Sequence, residues 1–451
     1  MKGENNMALT GLDIYKRLPK TNCKACGLPT CLAFAMSLAG SKTSLEKCPY
    51  VSEEAKEFLG GASAPPIKLI KVGTGNKIVE LGDETVLFRH DKTFYHPTSI
   101  AIEIMDTLDA HALREKIDKI NDLKFERVGQ HIEVDMIAVR NVSGDADTFA
   151  ASATAIANGS ELALILISEE PQAMEKALAA VAHKIPLIYA ATADNYEKMV
   201  ELARKYKCPL VVKGEGLVAT ADLSEKIGAS YKELVIDTGS RTTSHALADM
   251  TQCRRLSIKK RFRPLGYPTI AFAQGETPMD EIIQAGMFVA KYSSIIVLKT
   301  DEKALILPLL TLRMNIYTDP QKPIQVEPKY YEIGAVTPDS PVYLTTNFSL
   351  TYYTVEGEVA GSKIPSYILA VNTDGTSVLT AWAAGKFNGE KIAEFIKQCG
   401  IEEKVNHRNI VIPGFAAVIS GALKEKSGWN VIVGPQEASG IPVFAKINFS
   451  K

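Results

Sequence analysis

Eight short apolar runs recur along the middle of the chain, and their spacing constrains the fold more than any other feature of the sequence. They alternate with amphipathic segments such as 173–182 and 196–206. Because eight strands that each lead into a helix are what a parallel barrel requires, the pattern predicts a TIM-type (β/α)8 barrel, with a doubly wound open sheet as the alternative. The runs are 100–106, 136–141, 162–168, 187–190, 210–212, 234–238, 269–272 and 295–298.

The functional residues of a parallel barrel follow its strands, and here those positions hold few side chains of mixed chemistry. They include Asp106, Asn141, Asp237, Thr238 and Arg241. No pair of general acid and base emerges from this set, and the turn that begins at Asp237 is as typical of a strand end as of a ligand site. The sequence therefore assigns no catalytic residue and favours a barrel that serves as a scaffold.

Four of the seven cysteines lie in the first 48 residues. Cys23, Cys26, Cys31 and Cys48 form a C-x2-C-x4-C-x16-C pattern, and Pro49 follows it. Three closely spaced thiols with a remote fourth and a proline are typical of an iron–sulfur cluster, whereas structural zinc more often uses two C-x2-C pairs or histidines. The pattern predicts a 4Fe-4S cluster with these four metal ligands, and zinc is the alternative because four thiolates serve both. Disulfides are not expected, since no secretion signal is recognisable.

The residues after the third cysteine have helical spacing. Leu32, Ala35 and Met36 predict a short helix that begins at Cys31 and ends near Gly40. The unpaired N–H groups at its start would favour a thiolate and an anionic cluster. About fifty residues bury too little apolar surface to fold alone, so the cluster would also hold this module together.

The length of the chain and its changes in composition predict about three domains. A Gly- and Ala-rich stretch that ends in Pro65 and Pro66 indicates a linker, with an ordered loop as the alternative. The chain is thus expected to be an α/β multidomain protein. Its predicted segments are a cluster domain over 1–60, a linker over 61–66, the barrel over 67–322 and a C-terminal α/β domain over 323–451.

The C-terminal segment combines strand-like and helical patterns, which predict a compact Rossmann-like α/β domain with polar loops at the strand ends. Its Thr and Tyr residues are also explained by strand propensity alone. The predicted strands are 342–347, 350–354, 366–373, 409–413 and 429–434. The predicted helices are 389–399 and 415–426, with a loop at 372–377 and a turn at 435–440.

The charge and hydropathy of the chain argue against two classes of partner, nucleic acid and membranes. The chain has 51 basic and 52 acidic residues, so no basic surplus indicates nucleic acid. The apolar stretch 304–312 is broken by Pro308, well short of the roughly 18 residues of a spanning helix. The sequence therefore predicts a soluble, cytoplasmic protein with no nucleic-acid or membrane partner.

The whole chain resembles the large (gamma) subunit of the corrinoid iron–sulfur protein of the anaerobic acetyl-CoA (Wood–Ljungdahl) pathway. The likeness lies in the cysteine module that opens with Leu-Thr-Gly-Leu-Asp-Ile-Tyr-Lys at 9–16, in the segment 88–96, and in the order of barrel and α/β tail. The resemblance implies a methyl carrier and not an independent hydrolase or oxidoreductase. Corrinoid cobalt would accept a methyl group from methyltetrahydrofolate through a methyltransferase and donate it to acetyl-CoA synthase. The 4Fe-4S cluster would reduce inactive Co(II) to Co(I).

The same resemblance implies the partners and the corrinoid site. The partners would be a small corrinoid-protein subunit in a heterodimer, the methyltetrahydrofolate:corrinoid methyltransferase, acetyl-CoA synthase/CO dehydrogenase and a low-potential donor such as ferredoxin. By position-for-position likeness the corrinoid contacts are Thr346 and Tyr352 from the first strands, Thr376, Ser377, Val378 and Leu379 from a loop, and Ser439 and Gly440 from the last turn.

The corrinoid would be base-off with no histidine ligand from the protein. The D-x-H-x-x-G pattern of histidine-ligated cobamide proteins has its nearest match at Asp109 and His111, which ends in Arg114 and lies in the barrel segment. The tail has one histidine, His407. Weak ligation of the lower face eases reduction of cobalt, and the cobalt itself is the nucleophile, so the chain needs no acid–base residue.

Two functions of other classes stay open on the sequence alone. One is an electron-transfer iron–sulfur subunit without a corrinoid. The other is a methyltransferase whose barrel binds the pterin directly, which predicts acidic residues in a clear pocket at the barrel mouth. Whether Thr98, Asp106 or Asn141 contact a pterin stays open on the sequence.

Overall fold

The computed structural model describes residues 11–39, 43, 45–52, 55, 65–319 and 322–449. The chain divides into two compact units. Most of the predicted linker over 61–66 lies outside the described residues, and so does Gly40, the predicted end of the helix that follows Cys31. The first unit holds Met1–Phe125 and Ile132–Tyr317, and the second holds Glu126–His131 and Thr318–Lys451.

In the described part of the cysteine module, two short helices pack against each other. Ile14 of the first helix and Phe34 of the second are buried in a small apolar core. Cys31 and Cys48 belong to the same core, and Cys31 is the first residue of its helix, as the apolar spacing predicts. The helices are α1, Gly11–Arg17, and α2, Cys31–Ala39.

Eight parallel strands, each followed by a helix, form a barrel within the described residues 65–319. Neighbours in the ring follow chain order, and a parallel bridge between Ile236 and Thr269 nearly closes it. Each predicted run is a strand whose ends lie within one residue of the prediction, so the predicted barrel is confirmed and the open-sheet alternative is wrong.

The strands of this region in chain order are the hairpin β1 Ile70–Val72 and β2 Val79–Leu81, the barrel strand β3 Ser99–Met105, the inserted hairpin β4 Lys124–Arg127 and β5 Gln130–Glu133, and the barrel strands β6 Met136–Arg140, β7 Ala163–Ile167, β8 Leu187–Ala191, β9 Leu210–Lys213, β10 Leu234–Asp237, β11 Ile270–Phe272 and β12 Ile295–Leu298. The helices are α3 Ala110–Asn121, α4 Ala146–Gly159, α5 Pro171–Val181, α6 Tyr196–Tyr206, α7 Leu217–Gly228, α8 Thr243–Lys260, α9 Pro278–Ala290 and α10 Lys303–Tyr317.

The interior of the barrel is apolar at one end and charged at the other. Ile70 and Leu81 of the β1–β2 hairpin pack with interior side chains such as Met136, so the hairpin plugs the amino-terminal end of the strands. At the carboxyl ends, the buried interior side chains include Glu103 and Asp237. This charged layer lies where barrels of this kind place their functional residues.

Across residues 322–449 the second unit forms a five-stranded sheet with the order β13-β15-β14-β16-β17. The edge strand β13 is antiparallel to β15, and the other four strands are parallel. The strands are β13 Tyr330–Ile333, β14 Val342–Thr346, β15 Ser366–Val371, β16 Asn409–Ile412 and β17 Asn430–Val433. The helices are α11 Ser349–Ser362, α12 Val378–Ala383, α13 Gly389–Gln398, α14 Ser420–Ser427 and α15 Ile441–Phe449.

The predicted strand over 350–354 is wrong, because these residues lie in α11. β14 and β15 are adjacent and parallel, so the chain must cross over between them, and a helix does this where a fifth strand cannot. Tyr352 and Val359 are buried on this helix at a spacing of two turns. The other predicted strands and both predicted helices of the tail are present. Among the described helices, none is both long and apolar enough to cross a membrane.

Candidate functional site

The four clustered cysteines differ in exposure. Cys31 and Cys48 are buried, Cys26 is half-buried and Cys23 is exposed. The N–H of Cys31 donates to Oδ1 of Asn22 at 2.8 Å, and the N–H of Asn22 donates to the Cys31 sulfur at 3.4 Å. Hydrogen bonds, first from the backbone N–H of Ala25, lower the pKa of Cys23. Donors thus already point at two of the sulfurs, and at Cys23 they favour the thiolate.

The backbone around these cysteines suits an anionic group. Lys20, Asn22 and Lys24 have positive φ angles of 57°, 49° and 61°, and they alternate with residues of ordinary conformation. Such alternation turns successive N–H groups toward one side, a geometry found around many iron–sulfur sites. Within the described residues, no three Cys, His, Asp or Glu side chains already stand together as a metal site. The donor set and the loop fit a thiolate-ligated cluster, although the thiols are not drawn together around it.

The second candidate site is the crevice between β14 and β16. The chain leaves β14 to form β15 on one side and returns to form β16 on the other, so the strand order reverses at β14. In open α/β sheets, ligands bind at this switch point, outside the carboxyl ends of the strands. β14 and β16 are in register at Tyr343 and Val411.

A cavity of about 260 Å³ lies at this crevice. Tyr343 and Thr345 of β14 line it together with Pro413, which follows β16. Most of its wall is apolar, and two side chains that border it, Leu350 and Phe415, are about half exposed. An apolar concave site with a few polar groups is the usual form of a cofactor pocket.

Three hydroxyl groups on β14 lack a hydrogen-bond partner within the described part of the chain: those of Tyr343, Thr345 and Thr346. All three residues are buried, and burial raises the pKa of Tyr343 to about 12, so its hydroxyl is a donor at any physiological pH. An unsatisfied buried hydroxyl costs about 1–3 kcal/mol. Because Tyr343 and Thr345 also line the cavity, a bound group there would relieve that cost.

The predicted corrinoid contacts fall into three groups. Val378 and Leu379, the first residues of α12, line the cavity, and Thr376 and Ser377 lie immediately before them. Thr346 ends β14 with its unpartnered hydroxyl.

The third group lies in the last turn and in α11. Ser439 is exposed and Gly440 is half-buried in a turn between Ala438 and Ile441, which both line the cavity. Tyr352 is buried in α11, where it packs against Tyr331 and Tyr353; it belongs to the same apolar cluster as Tyr343 but does not itself line the cavity.

Sequence reasoning missed Tyr343 and Thr345. On the sequence, strand propensity alone explains both residues. The signal that could have identified them is the presence of hydroxyl groups in a run whose neighbours are apolar. Only the sheet order shows that this run ends at the switch point.

The polar residues at the carboxyl ends of the barrel strands pair with one another. Asp237 accepts from both terminal nitrogens of Arg241, at 3.0 and 2.8 Å, and from the hydroxyl of Tyr189 at 2.7 Å. Asp106 accepts from Ser143, and Asn141 donates to the hydroxyl of Ser168. Thr98 precedes β3, at the opposite end of the barrel, and its hydroxyl donates to a backbone carbonyl.

These features define a multidomain α/β protein, with a cysteine module, a barrel and an open α/β sheet that has a cavity at its switch point. A family model described as "CO dehydrogenase/acetyl-CoA synthase delta subunit" matches residues 69–445, and one described as "Putative Fe-S cluster" matches residues 18–50. The chain is similar along its whole length to the corrinoid/iron-sulfur protein large subunit of Moorella thermoacetica, at 55% identity over 98% of this chain and 100% of that one. The chain therefore belongs to the family of corrinoid iron–sulfur protein large subunits.

More distant similarity extends to archaea. The gamma subunit of the acetyl-CoA decarbonylase/synthase complex of Methanothermobacter thermautotrophicus is 37% identical over 97% of this chain and 98% of its own. Among solved structures, a dihydropteroate synthase from Thermus thermophilus aligns with 54% of this chain and 97% of its own, at 14% identity and a TM-score of 0.38.

Proposed function

We propose that this protein carries methyl groups from methyltetrahydrofolate, through a separate methyltransferase, to acetyl-CoA synthase. A bound corrinoid supplies the cobalt that holds the methyl group, and a 4Fe-4S cluster supplies the electron that restores oxidised cobalt. The observation that carries the proposal is the cavity at the switch point, with two unpartnered buried hydroxyls on its wall. Full-length similarity to a corrinoid/iron-sulfur protein supports the choice of cofactor.

In this proposal the chain binds and shields the corrinoid. The hydroxyls of Tyr343 and Thr345 donate to acceptor groups at the edge of the macrocycle, which carries amide side chains. Val378 and Leu379 cover part of its apolar surface, and the remaining predicted contacts are Thr346, Tyr352, Thr376, Ser377, Ser439 and Gly440. A cavity of about 260 Å³ is below the usual 300–1,000 Å³ of small-molecule pockets, so these residues would hold only part of a corrinoid.

The position of His407 supports a base-off corrinoid with no histidine ligand. His407 is the sole histidine of the sequence between residues 322 and 449. It lies just before β16, so it stands at the amino end of the strand, opposite the cavity. Its Nε2 is 2.9 Å from the carbonyl oxygen of Ser340, and its Nδ1 accepts the N–H of Asn409. Both ring nitrogens are thus engaged away from the crevice.

The cluster would be held by Cys23, Cys26, Cys31 and Cys48, with the alternating loop presenting N–H groups to it. The proposal divides the chain into a cluster domain over 1–60, a linker over 61–66, a barrel over 67–322 and a corrinoid-binding domain over 323–451. Its partners are a small corrinoid-protein subunit, the methyltransferase, acetyl-CoA synthase/CO dehydrogenase and a low-potential donor such as ferredoxin.

The test is metal content and visible spectrum after anoxic purification with the small subunit. We expect iron and cobalt in the wild type, a cobamide band that converts on low-potential reduction, and a cluster shoulder that bleaches. Cys48→Ala should lose iron and keep cobalt, whereas the control Cys399→Ala, outside the four-cysteine pattern, should keep both. Iron without cobalt in fully loaded wild type would overturn the proposal and favour the electron-transfer subunit. Zinc in place of iron would overturn the cluster assignment.

A further inference from the structure

Asn347, the residue after β14, is buried and uses its whole side-chain amide in hydrogen bonds. Its Oδ1 accepts from the N–H of Thr373 at 2.9 Å and the N–H of Gly375 at 3.3 Å, and it lies 3.2 Å from the hydroxyl oxygen of Thr373. Its Nδ2 donates to Gln325 at 2.9 Å and lies 3.5 Å from the side-chain oxygen of Asn372. One amide thus joins the end of β14 to the loop that follows β15.

That loop has a conformation that needs support. Asp374 and Gly375 both have positive φ, at 54° and 69°, and a non-glycine residue in this region is strained. Inside the loop, the hydroxyl of Thr373 donates to the carbonyl of Thr376, and the hydroxyl of Thr376 donates to the carbonyl of Thr373. The N–H groups of Thr373 and Gly375 depend on Asn347 for their acceptor.

The loop leads directly into a wall of the cavity. Ser377 precedes α12, and the first two residues of that helix, Val378 and Leu379, line the cavity. Thr345, two residues before Asn347, lines it from β14. Asn347 therefore fixes the distance between the donor side and the apolar side of the same cavity.

We propose that Asn347 is a positioning residue for the corrinoid: it does not touch the cofactor but holds the 373–377 loop in its binding conformation. The inference rests on the proposed function of the C-terminal sheet. A loop ordered before the ligand arrives spares the ordering entropy that binding would otherwise cost. A buried amide serves this role because its acceptor oxygen matches two backbone donors, which an apolar side chain of equal size would leave unsatisfied.

The experiment compares cobamide binding and amide hydrogen exchange in full-length wild type and Asn347→Leu. The variant leaves the N–H groups of Thr373 and Gly375 without an acceptor, so we expect a ten- to hundredfold rise in Kd for cobamide. Without cobamide, these two N–H groups should exchange faster than in the wild type. The amides of β14 and β15 should keep their protection, which a general loss of stability would not predict, and saturating cobamide should restore the protection of the two N–H groups.

Two further variants separate positioning from stability. Asn347→Asp keeps the acceptor oxygen for Thr373 and Gly375 but turns a second oxygen toward those of Gln325 and Asn372, so we expect the two N–H groups to stay protected and Kd to rise less than in Asn347→Leu. Asn388→Ala is the matched control, because Asn388 caps α13 by accepting from Lys391 at 3.0 Å, and neither residue lines the cavity. It should lower stability to a similar degree and leave Kd unchanged.

Equal Kd and equal exchange in Asn347→Leu and wild type would overturn the inference. So would a rise in Kd that Asn347→Asp shares in full although its loop stays protected. A wild type that binds no cobamide would overturn the proposed function, and the exchange of the two N–H groups would still decide whether Asn347 holds the loop.

Discussion

The barrel and the C-terminal sheet differ in whether the polar groups at the carboxyl ends of their parallel strands have hydrogen-bond partners. In the barrel, Asp237 is matched by Arg241 and Tyr189, and Arg140 donates to Glu103 at 2.6 Å. In the sheet, the hydroxyls of β14 have no partner within the described residues, and an apolar cavity adjoins them. Polar groups that satisfy one another leave little for a ligand to bind, whereas unsatisfied donors beside an apolar wall favour one.

The barrel has one exception to this contrast. Oε1 of Glu103 lacks a partner within the described part of the chain, while its other oxygen accepts from Arg140. The guanidinium groups of Arg140 and Arg241 both lie over the ring of Phe272, 5.4 and 4.9 Å from its centroid. Cations stacked on one ring hold the layer together. The barrel mouth is thus a packed network, and its sequence-based interpretation as a scaffold stays a prediction.

The largest effect is expected from breaking this network. Asp237→Ala removes the acceptor of Arg241 and Tyr189, and loss of one partner of a buried ion pair costs about 3 kcal/mol in the free energy of unfolding. Hydrogen exchange of β8 and β10 measures this in the barrel without mixing in the second unit, because exchange is read strand by strand. The Kd for cobamide should not change.

The control for that prediction is Asp122→Ala, which removes an exposed pair with Lys303 and should leave the stability of the barrel almost unchanged. If Asp237→Ala left the stability of the barrel unchanged but weakened the binding of cobamide or a pterin, the contrast between the barrel and the C-terminal sheet would be wrong. The barrel mouth would then be a ligand site.

The second effect concerns the unpartnered hydroxyls. Thr345→Val and Tyr343→Phe remove them with little change of shape, so the second unit should keep or slightly gain stability, by up to about 1 kcal/mol. The Kd for cobamide should rise about tenfold with each. Fluorescence of Trp382 and Trp429, the two tryptophans of the sequence, reports unfolding of this unit alone.

Thr220→Val is the matched control, because the buried hydroxyl of Thr220 in the barrel already donates to Gly216 at 2.8 Å. In the barrel, Thr220→Val should lower the free energy of unfolding by about 1 kcal/mol and leave the Kd for cobamide unchanged. If Thr345→Val destabilised the second unit as much and left Kd unchanged, the hydroxyl would serve the fold and not a ligand.

The sequence predicted the barrel well because its strands are buried on both faces and read as continuous apolar runs. α11 was not predicted, because its Thr and Tyr residues favour strands. It is a helix because β14 and β15 are adjacent and parallel, so the chain between them must form a crossover connection. The N-terminal helix was predictable from its spacing, but its buried face was not: of Leu32, Ala35 and Met36 only Ala35 is buried, and the helix buries Phe34 and Leu38 in place of the other two.

The candidate sites were predictable only in part. The cysteine pattern is local, and the resemblance supplied Val378 and Leu379, which line the cavity. The bonds of Asp237 to Tyr189 and of Asn347 to Thr373 join residues 48 and 26 positions apart. Such pairs depend on strand order, which a single sequence does not show.

The smallest effect concerns the two ion pairs that Asp301 forms with Lys116 and Lys119 of α3. Acid should weaken these pairs and so lower the stability of the barrel but not that of the second unit. Burial raises the pKa of Asp301, but Lys116 and Lys119, at 2.6 and 2.8 Å, more than offset this and hold it below its ordinary value. A carboxylate with a lowered folded-state pKa stabilises the protein above its unfolded pKa of about 3.9, and this stability is lost as pH falls through the folded-state value. The protection factors of β12 and α3, corrected for the intrinsic exchange rate at each pH, should therefore fall between pH 5 and pH 3 in the wild type, by an amount worth less than about 1 kcal/mol for each pair. Asp301→Asn should flatten this dependence, and Trp fluorescence of the second unit should not distinguish the two proteins. An equal acid response in exchange would mean that the pairs do not stabilise the barrel and that its pH dependence arises from other carboxylates.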